Sequence, residues 1–285
     1  MAGRLYVVAT PIGNLEDLSP RAARVLREVA VVLAEDTRRS RILMDHVGAR
    51  ARLVSAHRHN EARRVAEALD RLAAGEDLAL VTDAGTPVVS DPGSRLVEAA
   101  ADAGFEVVPV PGPSAALAAL SASGMAGDRF AFLGFPPRSG RARRDVLERC
   151  AQHPDTVILF EAPGRLVALL DDLAASCGPE RGAAVGRELT KLHEEVVRGT
   201  LAEVAAYYRG NAPRGEVVVV LEGAPPTDRD GDLSERVAVP LADALLDRGV
   251  APSAVAREVA RRAGLSRNRA YEIAQARALE RSKEG

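Results

Sequence analysis

The chain has 285 residues, 47% of them hydrophobic, so it is long enough to bury the cores of two domains. Its formal net charge of −2 argues against a protein that coats nucleic acid over its whole surface, but leaves room for local basic patches. The sequence has no apolar run of about 18 residues and no leader-like start, which predicts a cytoplasmic protein with no membrane partner.

Short runs rich in valine and leucine alternate with amphipathic helical segments in the first part of the chain. Ser19 followed by Pro20 is a typical helix start. The alternation is typical of βαβ units and a mainly parallel sheet. We therefore predict an N-terminal α/β domain over residues 1–120. Its predicted strands are 4–9, 29–34, 51–55, 77–82 and 105–110.

A second set of strands follows a helix rich in small residues. The predicted strands are 129–135, 156–160, 182–188, 194–199 and 216–223. The last three are separated only by a turn or one helix, which predicts a mixed sheet with antiparallel pairs. A second α/β domain is expected over residues 121–224.

The remaining residues predict a linker and a helical extension. The linker is "APPTDRDGD", residues 224–232, and helices are predicted at 238–248, 252–263 and 266–281. The fold class is thus α/β, with two α/β domains and a C-terminal helical extension over residues 233–285. The last two helices have the outline of a helix-turn-helix in which Arg267 and Arg269 would contact nucleic acid. A plain helical hairpin would show the same pattern.

Three loops at the carboxyl ends of predicted parallel strands carry unusual residues. They are Thr10–Asn14, Asp83–Gly93 and 109–116, "PVPGPSAA". Such strand ends meet at one edge of a sheet, where ligands bind, so the loops are expected to form one crevice. The chain has neither the G-x-G-x-x-G nor the G-x-x-x-x-G-K-[ST] pattern, which argues against a standard dinucleotide or triphosphate site.

A basic segment, "RSGRARRDVLER", begins at Arg138. Arg138, Arg143 and Arg144 are predicted to contact nucleic-acid phosphates from a flexible loop. The alternative is a solvated helix start.

Several motifs together resemble the tetrapyrrole methylase family, in order from residue 4 to about residue 223. They are "LYVVATPIGNLEDLSPRA", "AEDTRRS", "HRHNE", "ALVTDAGTPVVSDPG", "VVPVPGPSA", "FLGFPPRSGRARR", "FEAPGRL" and "GRELTKLHEE". The resemblance implies two α/β domains of tetrapyrrole methylase type, S-adenosylmethionine as cofactor and a homodimer. It is strongest to the members that methylate the ribose 2'-hydroxyl of a cytidine in the decoding region of 16S rRNA. The implied partner is 16S rRNA or the small ribosomal subunit.

S-adenosylmethionine carries no phosphate, so a loop of backbone groups suits it better than a phosphate cradle. Gly85, Thr86 and Pro87 can present such groups, because Gly85 has no side chain to block approach. Asp83 adds an acceptor, and Asp91 does so unless Asp91–Gly93 is only a tight turn that caps the next helix. The resemblance implies further cofactor-binding residues: Pro11, Val89, Ser90, Ser114, Ala115 and Leu189.

A general base would assist methyl transfer, because a ribose hydroxyl is a poor nucleophile near neutral pH. Lys191 in "RELTK" is the candidate, since the pKa of a lysine desolvated beside arginines can fall, whereas arginine cannot lose its proton. The chain has only one other lysine, Lys283. Glu188 is the reserve base. The alternative is that Lys191 pairs with Glu188, Glu194 or an RNA phosphate.

Polar residues after the second and third strands complete the predicted substrate site. Asp36 and Arg38 are placed to face the crevice, and His59 and Asn60 are expected to bond RNA or to cap a helix. We expect no metal, because the H-x-H pattern lacks further ligands and the two cysteines, Cys150 and Cys177, show no C-x-x-C spacing.

Three other functions compete with this interpretation. A tetrapyrrole methyltransferase of the same fold would not require the arginine-rich loop and basic tail. A non-catalytic RNA-binding protein would leave the three loops unexplained. A sugar-phosphate enzyme would need a phosphate cradle, which the sequence lacks.

Overall fold

The computed structural model describes residues 2–57, 60–225, 228–263, 265 and 267–284. They form two compact units, Met1–Gly223 and Ala224–Gly285. The first unit holds both sheets, and the second unit is helical.

The first sheet has five parallel strands in the order β3-β2-β4-β1-β5. Its β2 and β4 are buried along their whole length, as the unbroken apolar runs of a two-sided parallel sheet require. The strands are β1 Arg4–Val8, β2 Val31–Ala34, β3 Arg52–Ser55, β4 Leu78–Val81 and β5 Glu106–Val110. The parallel sheet predicted from the sequence is confirmed.

Helices connect these strands and cover the two faces of the sheet. The first begins as predicted, because Ser19 accepts the backbone N–H of Ala22 and Pro20 occupies the first helical position. The helices are α1 Pro20–Glu28, α2 Thr37–Val47, α3 Glu61–Ala73 and α4 Ser94–Asp102. Leu26 and Met44 pack on one face of the sheet, and Leu72 and Leu96 on the other.

The second sheet is mixed, as predicted, with the order β6-β7-β10-β8-β9. Its β6 and β7 are parallel, and the other neighbouring pairs are antiparallel. The strands are β6 Phe130–Gly134, β7 Thr156–Glu161, β8 Gly182–Arg187, β9 Glu195–Thr200 and β10 Val217–Leu221. The helices of this part are α5 Ala115–Ser123, α6 Gly140–Gln152, α7 Leu166–Cys177 and α8 Leu201–Gly210.

One apolar cluster joins the loop after β1 to the second sheet. Ile12 from that loop packs with Ala116 and Ala119 of α5, with Leu189 and with Val218 of β10. This cluster holds the strand ends of the first sheet beside those of the second.

The helical unit consists of α9 Asp228–Leu246, α10 Pro252–Ala263 and α11 Arg267–Glu284. Ala242, Val259 and Ala274 are among the residues that form its core. The predicted linker over 224–232 is wrong from Asp228 onward, because the helix begins there, ten residues before the predicted start. No helix among the described residues is long and apolar enough to cross a membrane.

Gly93, at the start of α4, allows a test of how tightly the first sheet packs. Its φ is +118°, and an added Cβ would lie 2.7 Å from Leu80 Cδ2, whereas Gly104, with φ +80°, has no neighbour within 4 Å. Gly104→Ala should lower the free energy of unfolding by about 1–2 kcal/mol, the cost of a left-handed alanine. Gly93→Ala should cost a further ~1–3 kcal/mol from overpacking. Guanidinium unfolding of both variants measures the difference, and equal losses would contradict the packing argument.

Candidate active site

A cavity of about 390 Å³ lies where strand ends of the two sheets approach each other. The three predicted loops of the first sheet all contribute to it, and so do residues after β6, after β7 and before β10. Seven of the ten predicted cofactor residues line it: Asp83, Gly85, Thr86, Val89, Ser90, Ser114 and Ala115. Pro11 and Pro87 do not line it, and Leu189 is buried in the cluster around Ile12.

Hydrogen bonds tie the three loops of the first sheet together. Thr10 and Gly85 exchange backbone bonds, N–H to O=C, of 2.8 and 3.0 Å. The hydroxyl of Thr86 donates to the carbonyl of Pro113 at 3.2 Å. The expectation that the backbone of Gly85 bonds a ligand is therefore wrong, because its N–H and its C=O are both bonded to Thr10. Pro87 is buried. What Gly85 contributes to the wall is its left-handed φ of +85° and the absence of a side chain.

The loop after β4 is strained at residues other than glycine. Val88 has φ +76° and Ser90 has φ +67°, a region that a β-branched side chain rarely adopts. Each such residue costs about 1–3 kcal/mol, and residues of this kind cluster at functional sites. The strain marks this loop as one whose shape serves the cavity.

Carboxylates dominate the charged groups of the cavity wall. Asp83 Oδ1 accepts the backbone N–H of Asp36 at 3.0 Å, and Asp91 accepts the Thr82 hydroxyl at 2.6 Å. The N-cap of α4 is Gly93, which belongs to the Asp91–Gly93 turn that the sequence left open as a helix cap. Arg39 also lines the cavity, and its guanidinium lies 3.5 Å from Asp83.

Glu161, at the end of β7, lines the cavity and was not predicted as a site residue. It is 3% exposed. Its Oε1 accepts the backbone N–H of Ala162 at 2.7 Å and pairs with Arg165, while its Oε2 has no hydrogen-bond partner among the described residues. An unpartnered buried carboxylate oxygen calls for a donor. The motif "FEAPGRL" after a strand was the signal that could have found it.

Lys191, the predicted base, lies between two carboxylates in the structure. Its Nζ donates to Glu188 Oε1 at 2.7 Å and to Glu216 Oε2 at 3.1 Å. Glu188 Oε1 also accepts the backbone N–H of Glu216 at 2.9 Å. The loop that makes this cluster is strained, with φ +49° at Glu188 and +67° at Thr190. Of the three clustered side chains, only Glu216 lines the cavity.

The expected lowering of the Lys191 pKa is wrong. Burial lowers the pKa of its ammonium, but the hydrogen bonds and charges of Glu188 and Glu216 outweigh that effect and raise it above its ordinary value. In return, the hydrogen bond from Lys191 lowers the pKa of Glu188. Carboxylates surround Lys191 where the prediction required arginines, so it remains a cation at neutral pH. The pairing of Lys191 with Glu188, left open by the sequence, is what the structure shows.

The raised pKa can be measured directly, because replacing Lys283 with arginine leaves Lys191 as the single lysine. We expect the ¹³Cε resonance of Lys191 to titrate above the ordinary lysine pKa, and Glu188→Gln to shift the titration downward. Because the folded-state pKa is raised, the stability that this pair contributes is present at neutral pH and lost as the pH rises through it. A measured Lys191 pKa below the ordinary lysine value would contradict this and support Lys191 as the general base.

The other predicted substrate residues are dispersed over the structure. Asp36 caps α2, and hydrogen bonds from Arg38 lower its pKa to about 2, while the guanidinium of Arg38 is largely exposed. Asn60 holds the turn before α3, accepting the N–H of His57 and donating to the carbonyl of Ser55. Asp36, Arg38 and Asn60 do not line the cavity. His59 and the side chain of Arg267 lie outside the described residues, and Arg269 pairs with Glu272.

The arginine-rich segment divides into buried and exposed residues. Arg138 is exposed in the loop before α6, whereas the exposed Arg144 lies on α6 itself, which fits the alternative of a solvated helix start. The prediction for Arg143 is wrong: it is 9% exposed, pairs with Asp172 at 2.7 Å and donates to the Pro137 carbonyl at 3.0 Å. It fastens the loop before α6 to α7, so its charge does not face solvent. No group of metal-ligating side chains was found among the described residues.

Arg143 and Arg144 form a matched pair for mutagenesis. Arg143→Met should lower the free energy of unfolding by about 1–3 kcal/mol, since it strands the Pro137 carbonyl and Asp172. Arg144→Met should change it by less than about 0.5 kcal/mol, as expected for an exposed side chain. Urea unfolding compares the two variants, and equal stabilities would contradict a structural role for Arg143.

The strand ends of the two β-sheets enclose one acidic cavity, and such strand ends are where α/β folds usually bind small molecules. The family model of the tetrapyrrole (corrin/porphyrin) methylases matches residues 4–205. The chain belongs to this family.

Two relatives are similar over long parts of the chain. One is ribosomal RNA small subunit methyltransferase I of Synechocystis sp., 45% identical over 271 residues, or 95% of this chain and 97% of the relative. The protein of the same name from Pseudomonas aeruginosa is 50% identical over 224 residues, 78% of this chain and 79% of the relative. Among solved structures, a cobalt precorrin-4 methyltransferase is similar in fold, with a TM-score of 0.60 and 19% sequence identity. The match spans 77% of this chain and 94% of the methyltransferase. That likeness supports the fold.

Proposed function

We propose that this protein transfers a methyl group from S-adenosylmethionine to 16S rRNA of the small ribosomal subunit. The observation that carries the proposal is the identity of 45% over nearly the full length of a ribosomal RNA small subunit methyltransferase I. The finer part of the proposal is that the acceptor is the ribose 2'-hydroxyl of a cytidine in the decoding region. A homodimer and a cytoplasmic location, where ribosomal RNA is found, belong to the same proposal.

The cavity fits S-adenosylmethionine in size and in chemistry. Its volume of about 390 Å³ lies in the range of small-ligand sites. The unpartnered Glu161 Oε2 offers an acceptor for an amino or ammonium group. The residues proposed to hold the cofactor are Asp83, Thr86, Val89, Ser90, Ser114, Ala115 and Glu161. When bound, the cofactor supplies an electrophilic methyl group on a sulfonium.

The protein's own part in the reaction is to align the acceptor and to exclude water. Phe135 and Phe160 line the cavity with their rings 5.4 Å apart and give part of its wall an apolar surface. Arg138, in the loop after β6, and Arg144, on α6, are both exposed, and there they would bind phosphates of the RNA backbone. These cations favour an RNA acceptor over a small tetrapyrrole.

Mass spectrometry of 16S rRNA from a strain lacking the gene tests the proposal. We expect one ribose methyl to disappear from a decoding-region cytidine and to return with the wild-type gene. Lys191→Ala should restore it poorly, because Glu188 and Glu216 lose the cation that holds them together. An unchanged methylation map would refute the RNA assignment, and methylation of a precorrin by the purified protein would favour the tetrapyrrole alternative.

A further inference from the structure

Three side chains from two strand ends meet beside the cavity. Lys191 and Glu188 come from the loop after β8, and Glu216 immediately precedes β10. We call them the Lys191 cluster. Neighbouring glycines leave room for it. An added Cβ at Gly13 would overlap Lys191 Cγ, and one at Gly215, where φ is +78°, would overlap Glu188 Oε1.

The two carboxylates of the cluster differ in exposure and in hydrogen bonding. Glu188 is 20% exposed, lies outside the cavity wall, and accepts through Oε1 both from Lys191 and from the backbone of Glu216. Glu216 is 66% exposed and lines the cavity. Within the described part of the chain its Oε1 accepts no hydrogen bond, and its Oε2 accepts only the one from Lys191. Glu216 is therefore the member of the cluster that a substrate can reach.

The charges of the cluster leave one negative charge uncompensated, because two carboxylates surround one ammonium. Lys191 cannot accept a proton while it remains an ammonium, which its two carboxylate partners favour. Within the cluster, only the carboxylates can therefore accept the proton of a hydroxyl nucleophile. The position of Glu216 on the cavity wall, with a free oxygen, distinguishes it from Glu188.

We propose that Glu216 is the general base, which accepts the proton of the ribose 2'-hydroxyl as the methyl group is transferred. This inference rests on the proposed function and names a catalytic residue for it. The hydroxyl O–H bond breaks and its proton goes to a Glu216 carboxylate oxygen. The ribose oxygen forms the new O–C bond to the methyl carbon, and the electron pair of the broken C–S bond stays on sulfur. Lys191 orients Glu216 through the hydrogen bond to Oε2, which leaves Oε1 directed to the substrate.

Single-turnover kinetics of the full-length protein test the role of Glu216. The substrate is small ribosomal subunits from the strain lacking the gene, with tritium-labelled S-adenosylmethionine and the enzyme in excess. Glu216→Gln keeps the shape and the backbone bond to Glu188 but cannot accept the proton. We expect the rate to fall by about 100-fold or more. The affinities for S-adenosylmethionine, by calorimetry, and for subunits, by filter binding, should remain those of the wild type.

Glu222→Gln is the matched control. Glu222 is an exposed carboxylate beyond the other end of β10, and its Oε2 accepts the backbone N–H of Gly182 at 3.2 Å. This variant should keep the wild-type rate, and Glu216→Asp should recover part of the rate lost in Glu216→Gln. The ¹³Cε resonance of Lys191 in Glu216→Gln should still titrate above the ordinary lysine pKa, because Glu188 remains its partner, and this shows that the loop is intact.

Three results would overturn the role of Glu216. They are a wild-type rate in Glu216→Gln, a loss of affinity that accounts for the whole loss of rate, or a rate loss found in Glu188→Gln but not in Glu216→Gln. Failure of the proposed function would look different, since the wild-type protein itself would then transfer no methyl group to the subunits.

Discussion

The close approach of the loop after β1 to the loop after β8 is the constraint on which the site depends. Gly13 lies so close to Lys191 and Thr190 that no side chain fits between them, and Ile12 beside it packs on Leu189. This contact places the strand ends of the parallel sheet against those of the mixed sheet. The cavity and the Lys191 cluster exist only because these loops touch.

The loops around the cavity are strained in their backbone. Val88, Ser90, Glu188 and Thr190 all adopt a left-handed φ, two on each side of the cavity. Conformations of this kind persist only where surrounding contacts over-determine them. Here the contacts are the Thr10–Gly85 bridge, the apolar cluster around Ile12 and the bonds of Lys191 to two carboxylates. The same contacts that bring the two sheets together therefore also hold the strained residues in their conformations.

Local patterns predicted the ten strands well, since most of them are short apolar runs between turn residues. The same reasoning could not tell that Arg143 is buried against Asp172, because a buried and a solvated arginine look alike in a basic run. It also placed Lys191 among arginines, whereas its partner Glu216 lies 25 residues away in the chain and meets it only through the pairing of β8 with β10. Glu161 was missed because "FEAPGRL" served only to carry the family resemblance, and the unpartnered oxygen that marks Glu161 as a site residue arises only in the packed structure.

The charge of the cavity wall determines which groups can bind inside the cavity and which must bind on the outer surface. Glu35, Asp83, Asp91, Glu161 and Glu216 line it, against the single cation Arg39 among the described lining residues. Such a wall attracts a cationic ligand and repels phosphate, with a strength that grows as water is excluded. The RNA backbone must then be bound outside the cavity, where Arg138 and Arg144 are exposed. In the reaction proposed above, the ribose would enter the acidic cavity while the phosphates of the same nucleotide stay outside it.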